Sequence, residues 1–316
     1  MKKLKIFFNR PIKRDPWGGG AHFITSLYEY LTRSGHDVVF SLDRGIDLIF
    51  MFDPRPHSGG DCVNSIYKYK CSNPSTKIIQ RINDTDIARP NDKPWRIDLL
   101  LHANQIVDHT IFISEWVKDH YIEKGFDFKK PNTVIINGCN PEWYFPDSEK
   151  TLNDKRINLI THHWSDNFMK GFDVYNFLDK FVSLNKGFSF TYVGRYNKDY
   201  TPENTRLISP IYGPELGDFL RLSDVYVTGA RWEACGMHHI EAARSGLPIL
   251  YHKDGGAVAE VCKNHGVEFS NLEDFEKKLS LIVEKYSDIR ERIDYNFLSF
   301  SRCFNEYYAA IGETLK

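Results

Sequence analysis

Two glutamates eight positions apart, Glu233 and Glu241, stand in the run WEACGMHHIEAARSGLP, residues 232–248. A carboxylate offers two acceptor oxygens, which match a pair of vicinal hydroxyls such as a ribose diol. Between them Gly236 opens a helix expected over about 236–245, and free N–H groups at a helix start suit a phosphate. Glu233 then lies in the loop before the helix and Glu241 about one turn in. Two carboxylates flanking a helix start can hold polyol groups on either side of a bound phosphate. The same residues also allow a plainer arrangement, with Glu241 paired to Arg244 at i+3 and Glu233 favoured by the helix dipole. His238 shares a face with Glu241, whereas the adjacent His238 and His239 point about 100° apart and do not both reach one ion with Cys235. No metal site is expected.

Two further stretches carry the same kind of chemistry. HHWSDNFMKGFDVY, residues 162–175, leaves an apolar run, passes through a polar loop and enters a helical pattern with Lys170-Gly171 at its start. An ammonium and free N–H groups pointing the same way suit a diphosphate, although a solvated lysine beside a capping glycine has the same local pattern. PWGGGAHF, residues 16–23, follows the first apolar run and opens a helix. Its glycines let backbone N–H groups approach an anion closely. Its spacing is neither the dinucleotide fingerprint nor the P-loop. Gly255-Gly256 opens another helix in the same way.

The elements that position these stretches alternate between short β-rich runs and helical periodicity, twice over. Strands are expected at 5–8, 37–42, 47–52, 77–82, 110–114 and 133–136. Helices are expected between them at 21–34 and 95–108. After a linker rich in Asn, Pro and charge, NGCNPEWYFPDSEKTLNDKR (137–156), the pattern restarts. Strands follow at 157–163, 189–194, 205–211, 225–229 and 248–252. Helices follow near 171–184, 214–222, 236–245, 256–264 and 271–286, and the stretch 294–315 has aromatics at helical spacing. The fold class this implies is α/β, with two doubly wound parallel-sheet domains. Such domains bind ligands at the carboxyl ends of their strands, and in this pairing a cleft between them is expected to hold the ligand.

Composition narrows the partners. With 316 residues, two domains are expected. Lys and Arg total 41 against 42 Asp and Glu, so the basic excess of a nucleic-acid binder is missing. Six scattered cysteines without a CxxC pair fit reduced thiols and a cytoplasmic protein. No 18-residue apolar stretch is present and the apolar run near the N-terminus is too short for a signal peptide, so neither a membrane span nor export is expected. Lys2, Lys3, Lys5, Arg10, Lys13 and Arg14 leave peripheral contact with an anionic membrane surface open.

Glu233, Gly236 and Glu241, the following EAARSGLPILYHKDGGAVAEV, the Lys170-Gly171 pair, VIINGCNPEWYFP and the closing FSRCFNEYYAAI together resemble the retaining GT-B glycosyltransferases of family 4, the glycosyl transferases group 1. The resemblance implies two Rossmann-like domains. It places the first over 1–144, on the acceptor side and completed by a helix at about 296–316, and a nucleotide-sugar donor domain over 145–295. It implies transfer of a sugar from a nucleotide-diphosphate sugar, with retention, to a hydroxyl on a glycan, a lipid or another acceptor, with no cofactor and no metal.

Carried over by position, Glu241 holds ribose hydroxyls, Lys170 the diphosphate and Glu233 the donor sugar. Backbone at Gly236, Met237 and His238 faces sugar and phosphate, and Gly19-Gly20 lies against the diphosphate. Two departures stand out. The arginine the family places about five residues before the lysine is here Ser165, which leaves Arg231, Arg195 or another basic group to replace it. The first domain's histidine is not evident, and in QRINDTD (80–86) Asn83 or Asp84 is the candidate stand-in for sugar or acceptor contact. A non-catalytic nucleotide-sugar or glycan-binding protein, or a nucleotide-sugar epimerase, shares the same shape. A phosphorylase is disfavoured by length, and a dehydrogenase by the missing GxGxxG.

Overall fold

The computed structural model describes residues 2–12, 18–56, 61–85, 95–122, 124–152 and 155–316. Lys13, Arg14, Pro16, Trp17 and Asp86, named above, lie outside them. The chain divides into two compact units, one built within residues 2–136 together with 304–316, the other over 137–303.

In the first unit β1 (Lys5–Phe8), α1 (Gly19–Arg33), β2 (Asp37–Val39), β3 (Leu48–Met51), α2 (Val63–Ser72), β4 (Lys77–Ile82), α3 (Trp95–Ile106), β5 (His109–Phe112), α4 (Glu115–Ile122) and β6 (Asn132–Val134) follow one another. Every strand pair is parallel and the sheet order is β2-β1-β3-β4-β5-β6. β3 is buried along its whole length, as a central parallel strand covered on both faces must be. Phe7, Ile49, Met51, Ile66 and Ile78 form one core cluster. On α1, Phe23 packs at 5.2 Å from the Tyr307 ring, and Arg81 spans both, its guanidinium over Phe23 and its Nε donating to the Tyr307 hydroxyl at 2.9 Å. The C-terminal residues thereby complete this unit's core.

In the second unit the elements are β7 (Ile157–His163), α5 (Phe172–Leu184), β8 (Phe188–Gly194), β9 (Arg206–Ile208), α6 (Gly213–Leu222), β10 (Val225–Thr228), α7 (Met237–Arg244), β11 (Ile249–His252), α8 (Ala257–Cys262), β12 (Gly266–Phe269), α9 (Leu272–Glu284) and α10 (Tyr286–Glu291); α11 (Phe300–Thr314) runs on into the first unit's residues. The sheet order β12-β11-β10-β7-β8-β9, all parallel, is the Rossmann order. β7 and β10 are neighbours at the point where the order reverses. The core beneath is strongly aromatic, with Phe172, Tyr175, Tyr192 and Tyr200 fully buried together.

Two Rossmann-like units of this kind constitute the GT-B fold. The structure adds α2, α4, α10 and β12 to the elements expected from sequence, and it shortens the strand expected at 205–211 to Arg206–Ile208. The edge position of β9 explains the shortening, since it has one neighbour, β8, to fix it.

One packing detail couples the two central loops of this unit. Gly171 has φ +94°, and a Cβ there would fall on the backbone of Gly229; a Cβ on Gly229 would in turn stand 2.7 Å from Val174 Cβ and 3.1 Å from Gly171 Cα. Gly171→Ala is therefore expected to lose about 2 kcal/mol or more, several degrees in melting temperature, through left-handed strain and displaced backbone together. Gly187→Ala, where nothing stands within 4 Å of the added carbon, is expected to be near neutral. Equal melting temperatures for the two variants would remove this account.

Candidate active site

The reversal point of the second sheet gathers the residues singled out by chemistry. After β7 the chain makes a 3-10 turn over Phe168–Lys170, capped by Asn167, whose side chain accepts from Met169 N at 3.0 Å, and closed by Gly171. After β10 it passes Gly229 and Ala230 to Arg231, Trp232 and Glu233, then enters α7 at Gly236. The two loops meet: Arg231 N donates to Met169 O at 2.9 Å. At their junction Lys170 Nζ donates to Glu233 Oε1 in an ion pair. Residues 63 positions apart are thus brought into direct contact by strand order.

Glu233 is fixed by backbone as well. Its carbonyl accepts from Ala257 N at 2.8 Å, and its N–H reaches Gly255 O at 3.3 Å, so the loop after β10 is bridged to the Gly255-Gly256 turn after β11. Gly236 has an ordinary φ of −61°, so its requirement is steric: a Cβ there would stand 2.6 Å from Glu233 Oε2 and 2.7 Å from His238 Cδ2. Both side chains close over the start of α7.

Glu241 is half-buried on α7 and its partner is His162 at the end of β7, Nε2 to Oε2 at 2.8 Å. The Arg244 pairing allowed by sequence is not the one adopted, and the Arg244 guanidinium lies over the Tyr295 ring instead. His238, placed by sequence on a ligand-facing side, is buried. Its Nδ1 meets the Tyr226 hydroxyl at 3.0 Å and its Nε2 stands 3.9 Å from Glu233 Oε2. Arg231, considered as a replacement for the cation missing at Ser165, clamps Asp173 with two hydrogen bonds of 2.9 and 2.6 Å. Burial works to raise the Asp173 pKa, but the Arg231 hydrogen bonds and charge prevail and hold it below the usual carboxylate range. Arg195 is exposed, 5.7 Å from the centre of the Trp164 ring. Ser165 accepts from Asn167 N at 3.2 Å and belongs to the turn.

A group of histidines lies under these carboxylates. His163 and His238 rings are 4.6 Å apart and His238 and His239 4.9 Å apart, all buried. His163 Nε2 is held at 2.6 Å by the Tyr175 hydroxyl, which also receives Gly229 N at 3.4 Å. Desolvation first, then the neighbouring His238, Lys170 and His162, keeps His163 well below the ordinary histidine range; His238 and His239 are lowered in the same way, with burial again the largest cause. These imidazoles are neutral at pH 7. Among the described residues no group of three His, Cys, Asp or Glu is arranged to hold a metal ion.

In the first unit Gly18 caps α1, with Gly19 and Gly20 in its first turn. A Cβ on Gly20 would stand 4.0 Å from Asn83 Nδ2, so the loops after β1 and β4 converge. Asp84 Oδ1 accepts from Thr85 N at 2.9 Å, and its carbonyl from the Tyr121 hydroxyl at 3.0 Å. Sequence reasoning missed the cluster beside them, where Asp53 after β3 takes two guanidiniums, from Arg10 and Arg55. It also missed His162 and Asp173 as partners, because each joins its mate across the fold.

Residues 195–297 match the family of glycosyl transferases group 1, a stretch that takes in Glu233, Gly236 and Glu241 and stops short of Lys170. The second unit thus carries a stretch similar to the group 1 glycosyl transferases, and the chain is a glycosyltransferase. Enzymes of that group draw on nucleotide-sugar donors. No curated protein matches the chain by sequence. Among solved structures it is similar to a glycosyltransferase from Rickettsia africae (TM-score 0.73, 15% identity, 100% of each chain covered) and to sucrose-phosphate synthase from Thermosynechococcus elongatus (0.71, 12% identity, 98% of this chain and 99% of that one). It is also similar to HepE of Anabaena, solved with UDP and glucose (0.67, 15% identity, 99% of each chain). At these identities the likeness establishes the GT-B fold.

The buried histidines set a pH dependence. In the unfolded chain each titrates near its usual value of about 6.5. Below that pH the unfolded state binds protons that the folded state refuses, so stability is full above it and falls as pH drops toward the lowered folded values. The melting temperature is expected to be flat from about pH 7 to 8 and to decline toward pH 5.5. Neither ring nitrogen of His239 has a hydrogen-bond partner among the described residues, so His239→Leu is expected to keep the neutral-pH melting temperature and shallow the decline. An unchanged acid slope in that variant, by scanning calorimetry, would count against burial as the cause.

Proposed function

We propose that the chain is a retaining glycosyltransferase that takes a sugar from a nucleoside-diphosphate donor and passes it to a hydroxyl of a glycan or lipid acceptor. The observation that carries this reading is the pairing of Lys170 with Glu233 at the reversal point of a Rossmann-ordered sheet, beside a helix start at Gly236 and with Glu241 one turn further on. In it Glu241 receives ribose hydroxyls, Lys170 and the backbone of Gly236, Met237 and His238 receive the diphosphate, and Glu233 exchanges Lys170 for hydroxyls of the sugar. HepE, a structure of the same fold solved with UDP and glucose, supports a donor of this class.

Departure of the nucleoside diphosphate builds negative charge on its β-phosphate. Fixed donors aimed at that charge are worth several kcal/mol in other enzymes, so Lys170 and the α7 start are the groups expected to lower the barrier. Arg231, bound to Asp173, serves by holding its loop. For the first unit the reading keeps Gly19 and Gly20, at a helix start, for phosphate oxygens, and Asn83 and Asp84 for sugar or acceptor hydroxyls. The donor domain is then the second unit and the acceptor side the first. The six free cysteines support a reducing, cytoplasmic setting. Among the described residues no helix is long and apolar enough to cross a membrane. A reading as a binding protein without transfer draws on Ser165 standing where the family's cation would be.

A thermal-shift screen of the chain against UDP-, GDP-, dTDP- and ADP-sugars is expected to raise the melting temperature with at least one of them, because a ligand specific for the folded form stabilises it. With that donor, turnover to free nucleoside diphosphate is expected to fall at least about tenfold in Lys170→Ala and in Glu241→Ala, Glu241→Ala mainly through weaker nucleotide binding. Donor binding with no turnover under any acceptor mixture favours the binding protein; full activity in both variants, with melting temperatures intact, removes the site assignment.

A further inference from the structure

Each of the two carboxylates has a buried histidine beneath it, and the two histidines share Tyr226. The backbone N–H of His162 donates to the Tyr226 hydroxyl at 3.2 Å, and that hydroxyl lies 3.0 Å from His238 Nδ1. His162 is itself locked into β7, registered opposite Val193 of β8, and its ring packs edge-on against Tyr226 at 5.4 Å. From this fixed base its Nε2 reaches Glu241 Oε2 at 2.8 Å. An ionised carboxylate only accepts, so Nε2 carries the proton and the ring acts as a donor. The hydrogen bond occupies one side of one oxygen. A residue on a short helix would otherwise be free to change rotamer; here the carboxylate is pinned from the end of the neighbouring strand.

We infer that His162 is a positioning residue for Glu241, setting the direction of the carboxylate oxygens that grip the ribose and thereby the enzyme's preference for ribonucleotides over 2′-deoxyribonucleotides. This rests on the ribose assignment of Glu241 made above. Tyr144 stands near the same carboxylate: burial first, then the Glu241 charge, raises its pKa well above the usual range. The geometry carries a consequence that a merely structural histidine lacks. Removing the Nε2 donor must weaken the hold on a ribose hydroxyl specifically, while leaving the hold on base and phosphates.

The test is a cycle between side chain and ligand hydroxyl. Binding of UDP, GDP, ADP and CDP and of their 2′-deoxy counterparts to the full chain is measured by titration calorimetry for the wild type, His162→Leu and His162→Gln. The wild type is expected to favour at least one ribonucleotide over its deoxy form by roughly tenfold. In His162→Leu that ribonucleotide weakens by about the same factor while the deoxy form changes by no more than about twofold, so the preference collapses. His162→Gln, whose amide N–H reaches a similar place, keeps most of it.

If the wild type discriminates and His162→Leu discriminates equally, or loses both ligands together, the positioning role is overturned while the ribose site stands. If the wild type binds none of them, or does not distinguish ribose from deoxyribose, the Glu241 assignment fails and the inference with it. Should His162→Leu not fold, His162→Asn, whose amide is too short to reach, takes its place in the cycle and faces the same outcomes.

Discussion

Lys170 reaches Glu233 because two loops touch at backbone level. Gly171 in a left-handed conformation and Gly229 without a side chain let the turn after β7 lie against the strand exit of β10, and Met169 O receives Arg231 N across the join. Any Cβ at either glycine would push the loops apart by more than the reach of a hydrogen bond tolerates. The rest of the site follows from this contact. Sheet order makes β7 and β10 neighbours at the reversal point, which is where an α/β sheet opens its ligand crevice. The glycines then decide how closely the side chains hung on those two loops can converge.

Convergence places several charges together, and the site settles them in pairs. Lys170 sits with Glu233 and Arg231 with Asp173, while the imidazoles beneath are kept neutral by burial. Beside these four charged groups stands Glu241, whose side-chain partner is the His162 imidazole. On the proposed reading a diphosphate competes with Glu233 for Lys170, and the carboxylate it frees is then available to sugar hydroxyls. Charge brought by the ligand and acceptors needed by the sugar are thus supplied in one exchange. Both side chains are largely buried, Lys170 22% and Glu233 11% exposed, so each charge needs the other, or a ligand in its place, to offset its desolvation.

The layout of the second unit was largely legible in the sequence, since buried parallel strands read as apolar runs and long helices such as α5 and α9 carry clear periodicity. The elements that escaped are short or weakly patterned. β12 is the four residues GVEF, α2 the polar VNSIYKYKCS, and α4 eight residues with two buried positions. The placement of Lys170, Glu233 and Gly236 after strands, with Glu241 on the helix that follows, was legible because apolar runs precede each loop. Their partners were not. His162 lies 79 positions from Glu241 and Asp173 lies 58 from Arg231, and no local signal ties residues so far apart. Only the strand order of the sheet makes them neighbours, and that order is a property of the whole chain's packing.

Trp232 shows where the backbone carries a cost for this arrangement. Among the described residues it is the one non-glycine residue with positive φ, at 55°, a conformation that costs a bulky residue on the order of 1–3 kcal/mol. Its own N–H donates to Asp254 O at 2.8 Å, and the next residue forms the bridge with Gly256, itself at φ +64°. Three backbone hydrogen bonds therefore hold a strained residue in place, linking the loop after β10 to the turn after β11. An unstrained Trp232 would carry the chain past this turn and aim Glu233 away from Lys170. The strain is tolerated because the bridge over-determines it, and its effect is to deliver a carboxylate to the start of α7, where Gly236 leaves room for it.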